Sequence, residues 1–311
     1  MRPPEQHVNA SHARLMRLAT YASASVALIL IVAKLIAWMM TDSITLLATL
    51  IDSCLDAAAS LITLFAVRHA LQPADKEHRF GHGKAEALAG LGQSMFIAGS
   101  SIFLLLESIH RLFHPQALEV LDAGIIVMAV SIVLTLLLIT FQQYVVRQTG
   151  STAIAADSIH YKTDLLVNIA VVIALLLAMY GWAGFDPIFA LGIAFYILHS
   201  AWEIARDAID QLMDKELSSE AREDIKRLAL SHPEVKGIHD LRTRKAGLTY
   251  FIQFHLELDG QLSLMQAHTI ADEVEAIIKE VWADAEVIIH EDPYGLQEPQ
   301  PAFAEDTRPE K

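Results

Sequence analysis

Residues 18–40 (LATYASASVALILIVAKLIAWMM), 121–146 and 165–184 are apolar runs, each about as long as the roughly 20 residues a helix needs to cross a hydrocarbon core of about 30 Å. Runs of this kind constrain the fold more than anything else in the chain. Three further segments, 43–67, 88–113 and 186–209, have the length but carry more polar residues. The expectation is an α-helical integral membrane protein with six transmembrane helices. The runs fall in the first two thirds of the 311 residues, so residues 1–213 are expected to form the membrane domain and 214–296 a soluble one. Residues 297–311, with Pro299, Pro301 and Pro309 among charges, are expected to be a disordered tail.

The opening MRPPEQHVNASHARLMRL is polar, and the first apolar run is too long for a signal-peptide core. Helix one is therefore expected to remain as a span. Arg2, Arg14 and Arg17 precede it, Arg68, Lys76, Arg79 and Lys84 lie between helices two and three, Arg147 follows helix four, and Arg206 and Lys215 flank the end of helix six. The other side has Arg111, so the positive-inside rule predicts cytoplasmic N- and C-termini.

The net charge of -14 comes mostly from residues 214–311, where 21 acidic residues face 11 basic ones. That balance excludes nucleic acid as a partner and suits a domain that attracts cations. Cys54 is the single cysteine, which rules out an intramolecular disulfide and thiolate-rich metal chemistry. It lies about 200° around the helix from Asp52 and is read as packing.

Beyond Asp214 the pattern changes. Residues 218–231 predict a helix opened by serine, VKGIHDLRTRKAG and LTYFIQFHLELDG predict two strands, residues 263–282 an amphipathic helix, and AEVIIHEDP a third strand. The expected domain is αββαβ, two layers of α+β type.

Inside the apolar helices are two pairs of metal-binding side chains at one spacing. Asp52 and Asp56 are i and i+4 on helix two; His160 and Asp164 are i and i+4 near the start of helix five. Each pair emerges from one helix face a turn apart. A charged side chain at the centre of a bilayer costs roughly 2.5–3.5 kcal/mol even on insertion scales, so it lines a cavity or meets a partner. A single intramembrane Asp can be a helix-packing partner; two matched pairs form a ligand set. One imidazole and three carboxylates suit tetrahedral zinc and are too few for calcium. Metal binding needs these groups deprotonated, and an unperturbed imidazole titrates near 6.5, so proton and metal compete. Periodicity does not make helices two and five neighbours.

DSCLD on the second span, HYKTD on the fifth, the loop LQPADKEHRFGHGKAEALA and the later HDLRTR together resemble the cation diffusion facilitator family, in its branch of bacterial zinc and ferrous-iron efflux proteins. The similarity covers residues 12–296. It implies a multi-pass homodimer in the bacterial inner membrane that exchanges zinc for protons by alternating access, with Cd2+ and Fe2+ as further substrates. It implies that Asp52, Asp56, His160 and Asp164 are the transport site, and that the C-terminal domain is cytoplasmic and metallochaperone-like.

The resemblance also assigns sites that spacing alone marks weakly. Asp75, His78 and His82, between helices two and three, would hold a second zinc ion, regulatory or structural. In the last domain His239 and His255 sit on adjacent strands, His290 and Asp292 are i and i+2 on the third, and His268 comes from the intervening helix. As a set these five could hold zinc, and the resemblance implies a binuclear centre that clamps two copies together. It further implies a charge interlock between Lys84 and Asp214. Small residues in helix three, Ala85, Ala89, Gly92 and Gly99, permit close helix approach, within the chain or across a dimer.

Two other classes are open to these residues. A membrane metal sensor would use the intramembrane site structurally, but it needs an effector surface. An intramembrane zinc enzyme needs an open coordination position, which four protein ligands close.

Overall fold

The computed structural model describes residues 10–41, 44–113, 122–179 and 186–295. Six long helices come first: α1 (Ala10–Thr41), α2 (Ile44–Ala70), α3 (Lys84–Phe113), α4 (Asp122–Thr149), α5 (Thr152–Met179) and α6 (Asp186–Leu212). They are followed by α7 (Ser219–Leu230), β1 (Gly237–Ala246), β2 (Thr249–Leu258), α8 (Leu264–Val281) and β3 (Ala285–Pro293). The chain divides into a helical unit, Ser11–Ile209, and a second unit that begins at Asp210. The expected tail, 297–311, lies outside the described residues.

Among the described residues, Ala10–Met40, Lys84–His110 and Ala129–Thr149 are long and apolar enough to cross a membrane. Helices α2, α5 and α6 match them in length, at 27, 28 and 27 residues. The helical unit is apolar outside and polar within. Leu28, Phe65, Phe103, Leu137, Phe195 and Trp202 are all more than 60% exposed, whereas Ser23, Ser60, Thr63, Gln93, Gln142 and Asp157 are buried. In water that distribution would be unfavourable; in lipid, where tails are as apolar as leucine, helices associate through small and polar residues instead.

Helix α5 packs against α2, α3 and α4. It begins at Thr152, well before the apolar run at 165–184, because its polar opening is buried in the bundle: Ala153, Ile154, Ala156, Asp157 and Ser158 are all at most 5% exposed. The α4–α5 turn takes two residues. Gly150 has φ 62° and its N–H reaches the Val146 carbonyl at 2.7 Å, a helix C-terminal bend that favours glycine. The Ser151 hydroxyl then accepts from the Ile154 N–H at 3.2 Å, capping α5. Gly90 gives α3 a close approach to this start, since a Cβ there would sit 3.0 Å from Thr152 Cγ2. Gly92 and Gly99 have open space at that position.

In the second unit the sheet order is β1-β2-β3, with β1 antiparallel and β3 parallel to β2. Ile252, Phe254, Leu256 and Leu258 alternate along β2 into a core shared with Ile225 and Ala229 of α7 and Ile270, Val274 and Ile278 of α8. Ser218 caps α7, and Ser263 with Gln266 forms a capping box on α8. Both helices therefore lie on one face of the sheet, leaving the other for β2's alternate positions, among them His255.

Candidate metal centres

Three groups of side chains in the described residues bring their ligand atoms within 4.8 Å of one another: Asp56, His160 and Asp164; Asp75, His78 and His82; and His239, His255 and Asp292. The first forms where α5 crosses α2. His160 Nε2 stands 2.9 Å from Asp56 Oδ1, with both side chains largely buried. Phe96 of α3 and Tyr161 meet the imidazole edge to face at 6.3 and 5.8 Å between ring centres. Asp52 is one turn before Asp56 on α2, its side chain outside the described residues. The i,i+4 spacing on each helix thus holds, and the crossing supplies the adjacency that spacing could not.

Beside this group lies a polar hub absent from the sequence reading. Asp157, one turn before His160, is 1% exposed. Its carboxylate accepts from Ser23 of α1 at 2.6 Å, Gln142 of α4 at 2.6 Å, Gln93 of α3 at 3.2 Å and, at the 3.5 Å limit, Ser60 of α2. Thr63 donates to Gln93 at 3.0 Å, and Ser60 bonds Tyr161 at 2.8 Å. The signal was present in AADSIHYKTD as a third titratable residue on the face of His160 and Asp164. Lys34, within the first apolar run, donates to Ser53 of α2 at 2.6 Å; a lysine there is an intramembrane charge with a named partner.

The second group occupies the α2–α3 loop. Asp75 accepts the N–H groups of Glu77 at 2.9 Å and His78 at 2.6 Å, which winds the loop into a turn. Its carboxyl is held below the usual value first by the His78 amide; desolvation opposes this, and the Glu77 amide and the neighbouring imidazoles of His82 and His78 lower it further. His82 Nε2 faces Asp75 Oδ2 at 3.3 Å, and His78 Nδ1 faces Asp75 Oδ1 at 3.5 Å.

The third group is a row across the sheet. His239 pairs in register with His255, and His255 with His290, so three imidazoles stand side by side with ring centres 4.9 and 4.6 Å apart. Asp292 lies beneath them: His255 Nδ1 is 2.7 Å from Oδ2, His239 Nε2 3.4 Å from Oδ2, and His290 Nε2 3.2 Å from Oδ1. One aspartate with an oxygen toward each side is suited to bridging two ions. A bulge follows His239, with Asp240 at φ 47°, and turns the Asp240 carboxylate to 3.8 Å from His255 Nε2. Buried Glu257 approaches His239 Nδ1 at 3.3 Å. Gly237 makes room for it, because a Cβ there would lie 2.6 Å from Glu257 Oε2. Asp240 and Glu257 were not singled out from sequence. His268 joins none of these; it pairs with Asp272 on α8 at 3.6 Å, in the helical layer behind the sheet. Lys84 opens α3, while Asp214 belongs to the second unit and is met by Arg244 at 3.2 Å.

A helical unit with acid and imidazole buried among apolar-coated helices, followed by an α/β domain with more of both, suits a membrane protein that handles metal cations. Comparison with known proteins agrees. Residues 20–213 match the cation efflux transmembrane domain, and residues 217–294 the cytoplasmic domain of cation efflux proteins. The cation-efflux pump FieF of Klebsiella pneumoniae is 48% identical over 286 residues, 92% of this chain and 95% of that protein. The FieF pump of Serratia proteamaculans is 49% identical over 282 residues, covering 91% and 94%. Among solved structures, the metal-bound C-terminal domain of the CzcD transporter from Thermotoga maritima is 29% identical, with TM-score 0.25, over 26% of this chain and all of that one. The chain belongs to the cation diffusion facilitator family of cation-efflux transporters. It is an integral membrane protein and a transporter, not an enzyme.

Proposed function

We propose that the protein is a homodimeric zinc exporter driven by inward proton flow, with six membrane spans, both termini cytoplasmic, and Asp52, Asp56, His160 and Asp164 as the transport site. The observation that carries this reading is the 2.9 Å approach of His160 Nε2 to Asp56 Oδ1 across α2 and α5, with Asp164 in the same group. Zinc enters such a site when its ligands are deprotonated and leaves when protons take its place, so one set of residues serves both ions in turn. Cd2+ and Fe2+ fit the same nitrogen and oxygen donors and are proposed as further substrates.

Asp75, His78 and His82 form a second zinc centre in the loop. His239, His255, His290 and Asp292 form a binuclear centre that clamps two cytoplasmic domains. His268, in the other layer, serves that centre only across the dimer contact. Lys84 and Asp214 are proposed as a charge interlock.

The test is zinc flux into proteoliposomes with and without an imposed pH gradient, alongside Asp56→Ala. The expected result is gradient-driven flux that the variant loses while remaining dimeric. Wild-type flux in Asp56→Ala would overturn the site, and flux indifferent to the gradient would overturn the coupling.

A further inference from the structure

Zinc held permanently by a protein takes four protein ligands, and the loop group offers three: Asp75, His78 and His82. A fourth donor stands beside them. His69, in the last turn of α2, has its ring centre 4.5 Å from that of His82, tilted by 60°. His78 and His82, both in the group, are 4.7 Å apart. Two imidazoles bound to one zinc at about 2.0–2.1 Å put their ring centres about 5 Å apart, so both spacings are those of co-ligands.

Packing alone could bring two rings this close, and a second observation points to a ligand. His82 is 7% exposed. Its Nε2 faces Asp75 Oδ2 at 3.3 Å, and its Nδ1 is buried without a hydrogen-bond partner. A buried ring nitrogen in this condition calls for a partner from outside the chain, and a metal ion is one that an imidazole can take. His69 is exposed, so its imidazole can turn toward an ion without unpacking its neighbours.

We propose that His69 is the fourth ligand of the loop centre, giving a closed site of one carboxylate and three imidazoles for zinc. The inference rests on reading Asp75, His78 and His82 as a metal centre. A closed shell retains its ion, so this zinc is resident rather than in transit. It also ties the last turn of α2, through His69, to His82 just before α3 begins at Lys84.

The experiment uses the full-length protein carrying Asp56→Ala, His239→Ala and Asp292→Ala, which remove ligands at the other two centres, and titrates it with Co2+ and then Zn2+. The expected result is strong visible absorption from four-coordinate Co2+. His69→Phe keeps a ring against His82 but has no nitrogen; it should weaken that absorption and cut zinc affinity by at least about 10–100-fold, the loss seen when even an outer partner of a ligand is removed. Unchanged absorption in His69→Phe overturns the proposal: with affinity also unchanged the contact is packing, and with affinity lowered His69 only orients His82. His78→Ala separates the two levels of inference. If Co2+ binding survives that substitution, or if the parent binds none, the reading of the loop centre itself fails.

Discussion

Asp157 shows what a single buried carboxylate can do in a helical bundle. Its partners Ser23, Ser60, Gln93 and Gln142 come from α1, α2, α3 and α4, and Asp157 itself from α5. Intramembrane hydrogen bonds average about 0.6 kcal/mol each, so the four contribute about 2 kcal/mol. Truncation also leaves buried donors unmet, at about 1–3 kcal/mol apiece where they cannot find another acceptor. Asp157→Ala should therefore lose about 2–4 kcal/mol, read as a lowered unfolding midpoint in detergent, whereas Asp157→Asn, which keeps an acceptor oxygen, should lose less. Equal midpoints for wild type and Asp157→Ala would show that the hub does not hold the bundle together. Asp75 gives a prediction in pH. Its folded value is lowered, so its contribution to the loop turn is present above the unfolded value of about 3.8 and is lost only as pH falls through the lower folded value. Amide-exchange protection at Glu77 and His78, measured without metal, should be flat from about pH 8 to 5 and disappear in Asp75→Ala; protection that fades near neutrality would place its origin elsewhere.

At the scale of elements, α5 is the helix on which the proposed transport site depends, and Gly90 sets how closely α3 meets it. Gly90→Leu places a branched side chain where even a Cβ lies 3.0 Å from Thr152 Cγ2. The expected outcome is a folded dimer with zinc transport reduced tenfold or more, an effect of about 1.4 kcal/mol per decade, while Gly92→Leu, facing open space, keeps its activity. Transport intact in Gly90→Leu would show that the approach can relax. This contrast marks how far sequence reasoning reaches. The small residues of α3 are visible in the sequence, but Gly90 was not among those singled out, and Gly92 and Gly99, which were, meet nothing within the chain among the described residues. The exact start of α5 was not legible from hydropathy for a related reason: hydropathy tracks contact with lipid, and residues 152–164 face other helices. The strands were legible because β2 alternates in and out of a core. The paired acidic and imidazole side chains were legible because i,i+4 spacing is local. Their meeting across α2 and α5, the Asp157 hub and the bulge at Asp240 depend on contacts between distant segments, which periodicity does not encode.

Across the whole molecule, each unit sorts polar and apolar groups by its surroundings. The helical unit turns leucine and phenylalanine outward and serine, glutamine and aspartate inward; the second unit buries isoleucine and phenylalanine between sheet and helices. Phe254 and His255 are sequence neighbours on opposite faces of β2, and substituting them should have opposite consequences. Phe254→Ala should cost about 3–5 kcal/mol and unfold the domain at a lower temperature, measured by calorimetry on metal-free protein. His239→Ala with Asp292→Ala should leave that temperature within a few degrees while lowering bound metal per chain. A large fall in the second case would mean that the histidine row is part of the core. Because the imidazoles stand on the face away from α7 and α8, donors can be added, lost or exchanged there without disturbing the interior. If the row holds metal as proposed, its preference and threshold are thus open to change by mutation, in nature or at the bench, at little risk to folding. The buried Asp56–His160 pair, hemmed in by Phe96, Tyr161 and the Asp157 hub, has far less freedom to vary.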